Sequence, residues 1–159
     1  MLYMYVKKIM TDTTKHAMET MMRNIGGPFG AAIVKNGEVI CVESNSVLRD
    51  KDPTAHAEIN AIRSACRKLK TYDLSDCELY ATGSPCPMCL SAIIWANIKT
   101  VYYSGKYEDC KKIGFRDDFI FNFIKNDCKN DDIVKLELHD NDLANTLYNA
   151  YETFSGELY

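Results

Sequence analysis

Apolar positions along this chain change period several times, and each change marks the edge of an element. Over residues 5–23, Val6, Ile9, Met10, Thr13, Ala17 and Met21 recur along one face, which predicts an amphipathic helix whose methionines fill core. Gly26, Gly27 and Pro28 end it. The run Ala31-Ala32-Ile33-Val34 predicts a strand over about 30–35 that is buried on both faces. Asn36-Gly37 then signals a two-residue hairpin into a second strand, about 38–44. Asn45 closes that strand, and a polar loop over 46–52 follows.

A helical stripe returns over about 56–70, with Ile59, Ile62, Ala65, Cys66 and Leu69 on one side. A third strand, about 77–82, runs into Gly83. The segment 86–96 is apolar nearly all round (Leu90, Ala92, Ile93, Ile94, Trp95, Ala96), as expected of a helix buried between layers. A fourth strand is predicted at about 99–104, with Val101 and Tyr103 on one face and Tyr102 on the other. Patterning weakens after 105. It predicts helices at about 107–113 and 117–125, a short strand near 133–138, and a last helix at about 140–153 with Leu143, Leu147, Tyr151 and Phe154 along one face. Strands alternating with helices argue for a layered α/β domain, residues 1–159, with a partly parallel sheet of five strands.

Composition narrows the class of molecule. A 159-residue chain that is 47% hydrophobic and 26% charged is long enough for one well-cored soluble domain. Its net charge of −3 removes the simple electrostatic case for nucleic acid. Seven cysteines, an odd number with one metal-type pair, fit a reducing compartment better than a disulfide framework. Residues 1–10 are only weakly apolar, carry Lys7 and Lys8 and lack a small-residue cleavage site, and no run approaches a membrane span. A soluble cytoplasmic protein is expected.

The chemistry lies in Pro53-Thr54-Ala55-His56-Ala57-Glu58 and Ser84-Pro85-Cys86-Pro87-Met88-Cys89. Cys86 and Cys89 are spaced i, i+3, so both thiols project from one face of a first helical turn. Ser84 is suited to cap that turn and Pro85 to its first position. The partial positive charge of a helix start favours the thiolate that a metal requires. One imidazole and two thiolates make the three-ligand set of a catalytic zinc, which leaves a position open to water of pKa near ~7. Glu58, two residues past His56, is placed to handle that water's protons. A lone C-x-x-C also suits a redox pair or half of a structural zinc site. A structural site wants a fourth ligand of suitable spacing, and a redox pair gives His-Ala-Glu no task. H-x-E with P-C-x-x-C is the pattern of zinc nucleobase deaminases.

Together with Gly26-Gly27-Pro28-Phe29-Gly30-Ala31, these motifs resemble the cytidine deaminase superfamily, whose fold is a three-layer α/β/α sandwich around a mixed five-stranded sheet. Ile94-Trp95-Ala96, Gly114-Phe115-Arg116-Asp117-Asp118-Phe119-Ile120 and Tyr159 look most like its small guanine deaminases. The resemblance implies hydrolysis of guanine to xanthine and ammonia, with one zinc per subunit on His56, Cys86 and Cys89. Glu58 would shuttle a proton from the attacking water to ring N3, and Asp117 would relay one to the leaving amine. Phe29, Asn45, Ala57, Trp95 and Tyr159 match base-binding positions. The resemblance also implies a homodimer in which the segment from about 140 to 159 is swapped between subunits and Tyr159 closes the neighbouring site. Another deaminase on the same core, acting on cytosine, a nucleoside or tRNA adenosine, is the alternative; a basic RNA groove is not evident. The chain departs from the family at Ser84, where Glu is usual.

Overall fold

Strand β1 (Gly30–Lys35) organises the sheet, since it pairs antiparallel with β2 (Glu38–Ser44) on one side and with β3 (Cys77–Gly83) on the other. The computed structural model describes residues 4–159. Strand β4 (Thr100–Gly105) adds parallel to β3, giving the mixed order β2-β1-β3-β4. Asn36 and Gly37 take positive φ, 53° and 81°, and make the tight β1–β2 turn that the dipeptide predicts. Because β1 opposes both neighbours, β2, β3 and β4 all run one way. Their C-terminal ends, together with the start of β1, therefore gather at a single edge of the fold.

Alternation along β1 splits the core into two layers. Ala31 and Ile33 pack with Leu79 and Ala81 against Ala57, Ala61 and Ala65 of α3 (Ala57–Leu69) and Ile93 of α4 (Pro87–Trp95). Ala32 and Val34 pack with Tyr80 against Ile9 and Met10 of α1 (Lys7–Met22). The three alanines at i, i+4 spacing give α3 a flat face, so its backbone lies close to the sheet. Ile33, Leu74 and Leu79 are fully buried, and each contributes roughly 1.5–3 kcal/mol by leaving water. The α/β/α layering follows the expectation. The α1 helix begins later than residue 5, with Val6 as its N-cap. A short helix, α2 (Val47–Asp50), lies inside the predicted 46–52 loop.

Two expectations are corrected. Helix α4 is not buried all round: Pro87, Cys89 and Ile93 face inward, whereas Leu90, Ile94 and Trp95 are exposed, Trp95 at 73%. A nine-residue helix can turn only one stripe toward α3 and the sheet, so its remaining apolar residues find no cover in this unit. The sheet also has four strands, since 133–138 forms none. Ile133, Val134, Leu136 and Leu138 are exposed there, and a lone extended segment without a ladder partner has no stability of its own.

The chain divides into two compact units, one ending at Asp117 and the other running from Asp118 to Tyr159. The first closes with α5 (Tyr107–Lys112). The second holds α6 (Asp118–Lys125) and α7 (Asn141–Phe154), and none of its residues is buried. Among the described residues, no helix is long and apolar enough to cross a membrane.

Candidate active site

The common edge of β2, β3 and β4 carries the helix starts that hold His56, Glu58, Cys86 and Cys89. His56 is the N-cap of α3, in extended conformation, so Ala57 and Glu58 fall in the first helical turn, both buried. Cys86 is the N-cap of α4, with Pro87 in the first turn. Its sulfur accepts the Cys89 N–H at 3.5 Å. The helix thus starts two residues later than a Ser84 cap and Pro85 would place it. The sulfur itself satisfies an N–H at the helix start, a task hydroxyls usually take. The Ser84 N–H instead donates to the Gly105 carbonyl at 2.9 Å and ties the end of β3 to β4.

These two helix starts bring His56 Nδ1 to 3.6 Å from Cys86 Sγ and 3.5 Å from Cys89 Sγ, across 30 and 33 residues of sequence. The three donor atoms lie within 4.8 Å of one another. A tetrahedral zinc with usual Zn–N and Zn–S bonds sets its nitrogen and sulfur ligands about 3.6 Å apart. The donor set therefore fits zinc in both chemistry and spacing. Glu58 stands beside the triad and outside it, its Oε2 accepting from the Cys89 thiol at 3.5 Å.

The site's protonation balance follows from this packing. Burial, above all, raises the Glu58 carboxyl above its usual range, and the charge of Cys86 adds to it; its own helix N–H works the other way. Cys86 is held down to about 4, chiefly by its hydrogen bond with the Cys89 thiol and then by His56, although burial opposes this. Cys89 is pushed up by the same pairing. Its hydrogen bond to Cys86 raises His56, and the charges of Cys86, Glu58 and Asp117 add to that. A carboxyl brought toward neutrality beside a metal-type triad is suited to general acid–base work.

The neighbouring walls are assembled from loops. Asn45 is buried, and its Oδ1 accepts from the N–H groups of Gly27 at 3.1 Å and Val47 at 3.2 Å. Its oxygen is thus committed to holding the loop, which leaves Nδ2 as the group able to meet a ligand. A Cβ at Gly26 would stand 2.2 Å from the Asn45 carbonyl oxygen, so only glycine fits there. Phe29 accepts the Asn45 N–H on its carbonyl at 2.9 Å and holds its ring edge-on to Phe115, 5.0 Å between centroids. Asp117 lies close enough to raise the proton affinity of both His56 and Cys110. Trp95 is not brought to the triad within this unit: nine residues along α4 from Cys86 is about 13 Å of helix rise. Tyr159 belongs to the second unit and is exposed.

Sequence reasoning missed the layer beneath. Asn60 Nδ2 donates to the Ser44 carbonyl and to Ser46 Oγ, each at 2.9 Å, and Ser46 Oγ also bonds Asp50 at 2.6 Å. Thr82 Oγ1 accepts the Gly30 N–H at 3.0 Å, which fixes the chain just after Phe29. Strand register sets the Gly30–Thr82 pair and the docking of α3 on the end of β2 sets the Asn60 bonds, so neither is announced by a local pattern; the Ser46–Asp50 pair is an i, i+4 contact.

Residues 5–105 match the cytidine and deoxycytidylate deaminase zinc-binding region. The chain belongs to this deaminase family. It is 51% identical to the guanine deaminase of Bacillus subtilis over 108 residues, 68% of this chain and 69% of that protein. The X-ray structure of that enzyme superposes with a TM-score of 0.85 at 36% identity, covering 98% of this chain and 99% of the other. The tRNA-specific adenosine deaminase of Aquifex aeolicus is 53% identical over 78 residues, 49% of this chain and 52% of that protein. The deaminase chain described here is thus a homologue of guanine deaminase within a family of hydrolases, and the cytidine deaminase-like fold predicted from its motifs is the fold it has.

Proposed function

We propose that this deaminase hydrolyses guanine to xanthine and ammonia, with one zinc per chain held by His56, Cys86 and Cys89. The observation carrying this reading is Glu58, buried beside a zinc-spaced triad yet outside it. A zinc ion bound there supplies Lewis acidity, which makes water a nucleophile near neutral pH. Glu58 takes the proton of the attacking water and gives it to ring N3, so that the water oxygen bonds C2. The C2–N bond then breaks as the new C2 hydroxyl becomes a carbonyl, its proton passing by way of Asp117 to the departing amine, which leaves as ammonia. Asn45 Nδ2 donates to the base edge, the backbone of Ala57 borders it, and the Phe29 ring forms one wall.

Trp95 and Tyr159 enter this reading through a second copy. Trp95 is exposed and about 13 Å along α4 from Cys86. No residue of 118–159 is buried, although Leu143, Leu147, Phe154 and Leu158 lie in that segment. A homodimer in which the segment from about 140 crosses to the partner, with Tyr159 over its site, accounts for both facts. The seven free thiols favour a reducing, cytoplasmic setting.

The identity to a tRNA adenosine deaminase supports a second reading, action on adenosine in tRNA. The B. subtilis enzyme matches through 98% of the chain and favours guanine. Ammonia release from zinc-loaded protein on guanine, adenine, cytosine, cytidine, guanosine and tRNA decides between them. Turnover of guanine alone supports the proposal; turnover of tRNA without free base overturns it.

A further inference from the structure

The Phe29 ring is packed on three sides. A Cβ at Gly27 would sit 3.2 Å from Phe29 Cδ2 and 3.1 Å from Phe115 Cζ, so a side chain there would push both rings back by a few tenths of an ångström. On the other side, a Cβ at Gly83 would meet Phe29 Cδ1 at 3.2 Å. Phe115 completes the enclosure, meeting Phe29 at 89° between ring planes, the edge-to-face arrangement that aromatic quadrupoles favour. The Phe115 N–H donates to the Cys110 carbonyl at 3.1 Å and the Gly114 N–H to Lys111 at 3.1 Å. One turn is thus anchored to the end of α5 on one side and to Phe29 on the other. Asp117 lies two residues further on.

We propose that Phe115 is a positioning residue: by docking edge-on against Phe29 over Gly27, it fixes both the Phe29 wall and the turn that presents Asp117 to the catalytic centre. Its ring meets Phe29 rather than the triad or Glu58, so it acts through Phe29 and Asp117. Phe115 is 47% exposed and lies outside both apolar clusters, so its contact with Phe29 contributes little to the core. That separates a positioning role from a merely structural one. The proposal rests on the deaminase reading for its kinetic consequence, while the docking itself can be read without any substrate.

The test compares Phe115→Ala with Phe115→Tyr in zinc-loaded protein. A reacting group displaced by about an ångström costs on the order of 100-fold. Phe115→Ala should lower kcat on guanine about 10- to 100-fold, with zinc content and melting temperature close to those of the parent. Amide hydrogen exchange at Gly114 and Phe115 should rise about tenfold, and Phe115→Tyr should restore both readouts. Gly27→Ala should impair kcat in the same way, and Phe115→Ala combined with it should cost less than the sum, since the vacated space admits the new Cβ. Unchanged exchange in Phe115→Ala overturns the proposal, as does a kcat within about twofold of the parent or a Tyr variant no better than Ala. If the parent releases ammonia from none of the bases, the guanine reading fails, and the exchange comparison still decides whether Phe115 holds the turn.

Discussion

Glu58 Oε2 lies 3.5 Å from Cys89 Sγ, so the carboxyl proposed to carry protons and a metal-type ligand touch although 31 residues separate them. The carboxylate can reach any molecule held at the triad without occupying a ligand position. Glu58→Gln keeps the shape and removes the titrating oxygen. Zinc should stay near one per chain by metal analysis while kcat on guanine falls about 100- to 10,000-fold, the span of general acid–base contributions. Turnover close to the parent's would end the assignment.

Removing a ligand should act differently. His56→Ala and Cys86→Ala each delete one of three donors spaced for zinc, and both should lose metal and activity together. Either variant retaining a full zinc complement at parental affinity would refute the ligand set.

Asn45→Asp separates loop support from recognition. Its side-chain oxygens can still accept the Gly27 and Val47 N–H groups, but the Nδ2 donor is replaced by an acceptor. The hydrogen-bonded loop should hold while kcat/KM on guanine drops about 10- to 100-fold, the worth of one unmade buried hydrogen bond. A parental kcat/KM would remove Asn45 from base recognition.

Acid should act through Asp50. Its hydrogen bond from Arg49, and next that from Ser46, lower its carboxyl from an ordinary 3.8 to about 2. A group with a depressed folded value adds stability that is complete above its unfolded pKa and is lost as pH falls through the folded one. Thermal melts from pH 5 down to 2 should therefore show a shallower decline in Asp50→Asn than in the parent. Identical slopes would show that the Asp50 contacts with Arg49 and Ser46 do not link to folding.

Legibility in the sequence followed the range of the interaction. Asn36-Gly37, the Ala31–Val34 run and the i, i+3 cysteines are local signals, and each predicts what the backbone does. The deaminase family was readable because its ligands sit in short motifs. The strand expected at 133–138 failed because apolar alternation specifies a face and cannot supply the pairing strand. The surroundings of α4 failed similarly: uniform apolarity says a helix is to be covered, without saying by what. The Asn60–Ser46 contact and the Phe29–Phe115 pair are set by how distant segments dock, which no window of sequence contains.

The apolar clusters on the two faces of the sheet close without any donor from the triad. Small zinc domains that lack such a core are unfolded without their ion. With zinc bound as proposed, a core that closes without the triad would let the chain fold first and acquire metal afterwards, so that the two events are separable in time. The amount of working enzyme in a cell would then track the supply of zinc as well as the synthesis of the polypeptide, and a starved, folded pool could regain activity without the making of a new chain.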